Sequence, residues 1–243
     1  LVALLAVSAL LASCSESELW QNPQTEARDG YIMLNFKTEI PAMQEVVTRA
    51  VDPDGGGVQD MTLFCFDSYG LFISTVKAGV TVQKPGPGEM EGTFKAEVPE
   101  NTRTIHFLAN QNMDEFKEDS FRNKSESEVM AVLEGSSGRM IYWGRFACDA
   151  GNDSNIAEQM ATSGNSVKLI RNHARISVDN PDNNGHIVIT GFAVCNTNAF
   201  GTVAPHHPKK GFDFTWPSSD DPFVTLPVND AKMSDITDRS EER

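Results

Sequence analysis

The chain has 243 residues, enough for a sizeable core in one or two domains, and carries a net charge of −14 at pH 7. That balance excludes a nucleic-acid binder, which needs basic patches, and a protein held on anionic membranes by charge alone. The 14 phenylalanines are spread widely and long apolar helical repeats are few, so the composition suits a β-rich globule.

Residues 1–11 read LVALLAVSALL, too short to span a bilayer as a mature helix but right for the apolar core of an export signal that lacks its basic start. Leu11-Ala12-Ser13-Cys14 has the form of a bacterial lipobox. The expected signal peptidase II cut lies between Ser13 and Cys14, and the Cys14 thiol is the expected site of lipidation. The alternative is an ordinary signal peptide with a stray cysteine. Glu16 and Glu18 resemble an acidic tag for the outer face of the cell, and residues 14–30 read as a polar tether.

From Tyr31 the text turns to alternation. Ile32, Leu34, Phe36 and Ile40 fall on one parity, broken only by Thr38, which is the mark of a strand with one buried face. The Arg49–Ala50 bond follows, just before Asp52-Pro53-Asp54-Gly55-Gly56-Gly57. That loop lacks the ligand spacing and closing Glu of an EF-hand, so it reads as linker rather than calcium site. A core strand thus adjoins a bond open to a trypsin-like protease, with Arg28 in the tether as a rival site.

Residues 58–66 form a strong strand, with Met61, Leu63 and Cys65 on one face and Thr62, Phe64 and Phe66 on the other. Asp67-Ser68-Tyr69-Gly70 predicts a turn and residues 71–76 the return arm of a hairpin. Pro85-Gly86-Pro87-Gly88 is a further turn. Phe94, Ala96 and Val98 alternate, and after Pro99-Glu100-Asn101 the strand at 103–110 alternates Ile105 and Phe107 with His106 and Leu108.

One helix is predicted. Ser125 and Glu128 have capping-box spacing, Val129, Met130, Val132 and Leu133 give an apolar stripe, and Gly135 is placed as its stop. Strand text resumes at 139–146, breaks in the polar stretch 149–164, and returns at 167–178 and 186–197 around the turn formers at 180–185. Beyond Gly201 the pattern thins, with one more strand expected at 223–228. The reading is an all-β chain, a β-sandwich with one short covering helix. Apart from Cys14, the cysteines Cys65, Cys148 and Cys195 fit no zinc spacing and read as buried free thiols, with one disulfide and a spare thiol as the alternative.

Catalytic arrangements are lacking. Gly135-Ser136-Ser137-Gly138 does not have nucleophile-elbow spacing. His206-His207 lies between prolines, reads as solvated loop and cannot face one metal from a regular strand. His106 and His173 read as ordinary sheet residues. No metal site or cofactor is expected, and an enzyme is not.

Five segments carry a family resemblance. The strand from Val58 ending Cys65-Phe66-Asp67 and closed by Gly70 resembles the first core hairpin of the fimbrillins, the subunits of type V pili. Val98-Pro99 leading to Ala109-Asn110, Ile141-Tyr142-Trp143-Gly144, Leu169-Ile170-Arg171 running to Ala174-Arg175-Ile176, and Gly191 to Asn196 are similar to successive strands of that family, in order. Together they span residues 58–205, the extent of a fimbrillin N-terminal domain. The resemblance implies a transthyretin-like β-sandwich and an outer-membrane lipoprotein precursor on the cell surface. It also implies an arginine-specific protease that removes the first strand, here at Arg49–Ala50. Other fimbrial subunits are the implied partners, joined by strand addition in the service of adhesion. Ile32, Leu34, Phe36 and Ile40 become the removable strand.

The expected organisation is signal peptide at 1–13, tether at 14–30, first strand and propeptide at 31–49, sandwich domain at 50–205, and linker with the opening of a truncated further domain at 206–243. An anchor subunit that keeps its lipid is one alternative. A glycan-binding surface lipoprotein, with Trp143 and Trp216 as its only aromatic candidates, is another.

Overall fold

A computed structural model of the chain describes residues 27–39, 58–85, 90–114, 116–136, 140–172, 189–191, 200–207, 211–212 and 214. Its strands are β1 (Tyr31–Glu39), β2 (Met61–Phe66), β3 (Phe72–Lys77), β4 (Gly79–Pro85), β5 (Met90–Pro99), β6 (Thr104–Ala109), β7 (Glu134–Ser136), β8 (Tyr142–Ala147), β9 (Ser166–Lys168) and β10 (Ile170–Arg171). Three further short strands follow: β11 (Phe200–Thr202), β12 (His206–His207) and β13 (Gly211–Phe212). They build an all-β sandwich of two main sheets, in the orders β4-β5-β1-β9 and β10-β8-β6-β2-β3.

The apolar alternation explains the packing. Ile32, Leu34 and Phe36 of β1 point inward with Phe94, Ala96 and Val98 of β5, and meet Leu63, Ile105 and Phe107 of the facing sheet. Phe36 binds the layers together, stacked 5.6 Å from Phe94 and edge-on 5.0 Å from Phe107. At the tip of the β2–β3 hairpin, Gly70 has φ +72, and Asp67 Oδ1 accepts from the backbone N–H of Tyr69 (2.8 Å) and Leu71 (3.0 Å).

Two of the crossings between the sheets are single-residue corners. Ala78 separates β3 from β4, and Leu169 separates β9 from β10, so each crossing closes one side of the sandwich. At the second corner β8 passes so close that a Cβ on Gly144 would lie 2.7 Å from the Lys168 carbonyl oxygen. The position tolerates only glycine.

Where one covering helix was expected the described residues hold two α-helices, α1 (Glu126–Val132) and α2 (Ile156–Thr162). Both start on complete capping boxes, Ser125 with Glu128 and Asn155 with Glu158. The stretch expected to be a polar break therefore holds α2, whose Ile156, Ala157 and Met160 enter the main core. Gly135 does not stop α1. The helix ends at Leu133 in extended backbone, and Gly135 pairs with Gly201 between β7 and β11. His206-His207 is not a solvated loop but a short strand on β13, with the His206 ring 4.9 Å from that of Phe212.

Cys65 is a buried free thiol, pushed up to about 12 by burial, whereas Cys148 is free but only half-buried. Cys195, His173, Trp216 and the strands expected at 186–197 and 223–228 lie wholly or largely outside the described residues.

Candidate functional site

β1 is the first of the described strands yet lies inside its sheet. It pairs antiparallel with β5 from Tyr31↔Pro99 to Thr38↔Gly92, and parallel with β9 from Lys37↔Ser166 to Glu39↔Lys168. Further bonds fasten its end: Lys37 N–H donates to Asn165 O (2.7 Å), Leu169 N–H to Glu39 O (2.7 Å) and Ser166 Oγ to Glu39 Oε1 (2.6 Å).

Its inward row is Ile32, Leu34, Phe36 and Thr38, all buried. The three apolar members contribute about 1.5–3 kcal/mol each, or about 4.5–9 kcal/mol gross. Thr38, which breaks the apolar run in the sequence, does so inside the core. Its residue is 0% exposed and its Oγ1 has no hydrogen-bond partner. A buried unpaired hydroxyl costs about 1–3 kcal/mol, so β1 is held less firmly than its pattern suggests.

Arg28 sits at the other end of β1. Its Nε donates to Glu97 Oε2 at 2.7 Å, its backbone N–H donates to Glu97 Oε1 at 2.8 Å, and its guanidinium lies 4.4 Å from the Tyr31 ring centroid. The Arg28 backbone hydrogen bond, with the side-chain bond and charge behind it, holds the Glu97 carboxyl below its ordinary range. The other expected site residues, Ser13, Cys14, Ile40, Arg49 and Ala50, lie outside the described residues.

A second constellation occupies the outer face of the other sheet. His106, read as an ordinary sheet residue, is fully buried in β6. Trp143 Nε1–H donates to His106 Nδ1 at 3.0 Å, which leaves Nε2–H of a neutral ring to donate to Glu126 Oε2 at 2.8 Å. Arg145 grips the same carboxylate through Nε, 2.7 Å, and a longer contact at 3.2 Å. Burial lowers the His106 pKa against the opposing pull of Glu126. Burial raises that of Glu126, but the bonds from His106 and Arg145 outweigh it and bring it to about 2. Phe214 closes the group, 4.7 Å from the His106 ring and 5.5 Å from the Arg145 guanidinium carbon.

Every polar atom of His106 is thus engaged internally, and Trp143 is 1% exposed. Trp143 therefore cannot serve as an aromatic platform for a glycan. The signal for this network was a His within the fully buried strand TIHFLA; its partners stand 20 and 37 residues away, beyond the reach of local pattern.

Among the described residues no group of three or more His, Cys, Asp or Glu side chains could hold a metal ion, and no helix is long and apolar enough to cross a membrane. No family model and no curated protein matches the chain. Among solved structures it is similar to a fimbrial assembly protein from Parabacteroides distasonis ATCC 8503, at 10% identity and TM-score 0.39, over 81% of this chain and 77% of that one. It is also similar to a candidate cell adhesion protein from Bacteroides eggerthii DSM 20697, at 10% identity and TM-score 0.29, over 62% of this chain and 40% of that one. Likeness at this level assigns no function.

Proposed function

We propose that the chain is a fimbrial subunit precursor in which β1 is a placeholder for a strand supplied by another subunit, in the service of adhesion. The observation that carries this reading is the place of β1: first among the described strands, interior in its sheet. Among the described residues, one cut between β1 and β2 frees it without breaking any other connection. Its departure uncovers the edges of β5 and β9 and the apolar groove between them, a state that aggregates unless another strand completes it. Strand addition restores ladder hydrogen bonds and burial together, so proteolysis drives assembly.

The five segments that resemble fimbrillins supply the biological setting. In it, lipid on Cys14 holds the precursor at the outer membrane, and an arginine-specific protease cuts at Arg49–Ala50. The test is limited digestion of the folded protein, followed by addition of a peptide spanning residues 31–40. A chain starting at Ala50 that captures the peptide in a size-exclusion assay is the expected result. Resistance of the Arg49–Ala50 bond would sink the polymerising version and favour an anchor subunit that keeps both lipid and strand.

A further inference from the structure

We propose that Arg28 is a latched second processing site, closed to an arginine-specific protease for as long as β1 stays docked. The proposal rests on reading β1 as a removable strand and concerns the order in which two arginyl bonds are cut.

Such a protease must draw the arginine side chain into its own anionic pocket and lay the flanking backbone along its surface in extended form. Arg28 meets neither demand. The Glu97 carboxylate holds its backbone N–H and its Nε at once, and the guanidinium lies against the Tyr31 ring. The carbonyl of the scissile bond accepts from Tyr31 N–H at 3.0 Å. Directly after it the backbone bends through Gly30, φ +77, whose own carbonyl accepts from Glu100 N–H at 3.0 Å. The residues that follow are β1 itself.

The Arg28 side chain is 68% exposed, and an ion pair that open is weak alone. The latch gains its strength from its mounting. Glu97 belongs to β5 and pairs with Met33, while Tyr31 begins β1, so Arg28 is released only when the start of β1 lifts from β5.

The consequence is an order of events. Hydrolysis at Arg28, with water adding across the amide to give an Arg28 carboxylate and an Asp29 amine, would sever the chain from its tether while the groove stayed filled. The shed molecule would be inert. The latch suppresses that outcome: the 28–29 bond opens to the protease only after β1 has left with its peptide.

The experiment follows the 28–29 bond by intact mass during digestion of the full chain with an arginine-specific protease. The comparison is a synthetic peptide of residues 22–36. In the folded protein the bond should be cut at least about tenfold more slowly than in the peptide, as expected for a bond reached only through local opening. Glu97→Ala and Glu97→Lys, both on the half-exposed outer side of β5, should speed cleavage several-fold with the near-ultraviolet circular dichroism unchanged. Species starting at Asp29 and running past Ala50, formed at the peptide's rate in the unaltered protein, would overturn the latch. So would folded Glu97 variants cut no faster than the parent. Cleavage at 49–50 is scored separately: its failure strikes the strand-removal reading and leaves the 28–29 comparison standing.

Discussion

In the sheet that contains β1, burial is one-sided. Inward residues of β1 and β5 alternate with Met33, Asn35, Lys37, Lys95 and Glu97, which are half-buried or exposed. In the sheet that contains β6, all six residues of β2 and all six of β6 are buried, because α1 with Val203, Ala204, Phe212 and Phe214 covers its outer face. A strand leaving the first sheet gives up one row of side chains. Removing β2 or β6 from the second gives up two rows, and with β6 the His106 network. Removing a strand therefore disturbs less packing in the first sheet, and that is where the earliest described strand lies.

The sharpest way to break this comparison is to cut large side chains from each sheet. Trp143→Ala should cost about 3–5 kcal/mol in chemical denaturation and strip protection from both sheets, since it also leaves His106 Nδ1 without its donor. Leu34→Ala should cost about 2–5 kcal/mol, yet hydrogen exchange should show β1 loosening ahead of β2 and β6. Identical exchange patterns would dissolve the distinction between the sheets. Gly144→Ala, driven against the Lys168 carbonyl, should cost about 1–3 kcal/mol and loosen β9, measurable as faster exchange along the β9 edge of β1.

Acid should separate the sheets by charge. His106 binds its proton less readily folded than at its ordinary 6.5, so the unfolded chain takes up more protons and stability falls as pH drops below 6.5. Glu126, held near 2 against an ordinary 4.5, contributes fully above 4.5 and loses that contribution toward 2, about 1–2 kcal/mol after allowance for its partial exposure. Melting temperatures between pH 8 and 4 should decline, and His106→Gln should flatten the upper part of the decline. The smallest effect runs the other way: Thr38→Val removes the unpaired hydroxyl and should stabilise β1 by about 1 kcal/mol, slowing any exchange of that strand.

Much of this fold was legible because its physics is local. β1 showed itself by parity, β2 by apolar residues on both faces, β6 by the alternation of Ile105 and Phe107 with His106 and Leu108, and the β2–β3 turn by Asp67 and Gly70. α1 was readable from Ser125 and Glu128. α2 carried the same device in Asn155 and Glu158, but only seven residues long and set in polar text, it offered too short a stripe to stand out. What stayed hidden depended on distant partners: Gly135 pairing with Gly201, His206 packing on Phe212, His106 reaching Glu126 and Trp143. At the candidate site, Ile32, Leu34 and Phe36 could be named in advance. The role of Thr38 could not, since a lone polar residue in an apolar row gives no sign of whether its hydroxyl finds a partner. The Glu97 grip on Arg28 spans 69 residues and left no trace in the sequence.

The position of β1 also bears on how the chain is made. β1 leaves the ribosome before β5 and β9 exist, and its contact with β9 bridges 127 residues between Glu39 and Ser166. A strand made this early must therefore wait until the rest of its sheet is present, and pairing over such distances is slow. Throughout that wait the nascent sandwich has the open groove that the proposed cleavage would create, and the β1 of another copy carries the same apolar row. What favours self-completion is the covalent link from β1 to β2, which keeps β1 beside its own groove at high effective concentration. The link that the protease is proposed to sever is thus also what keeps newly made chains apart.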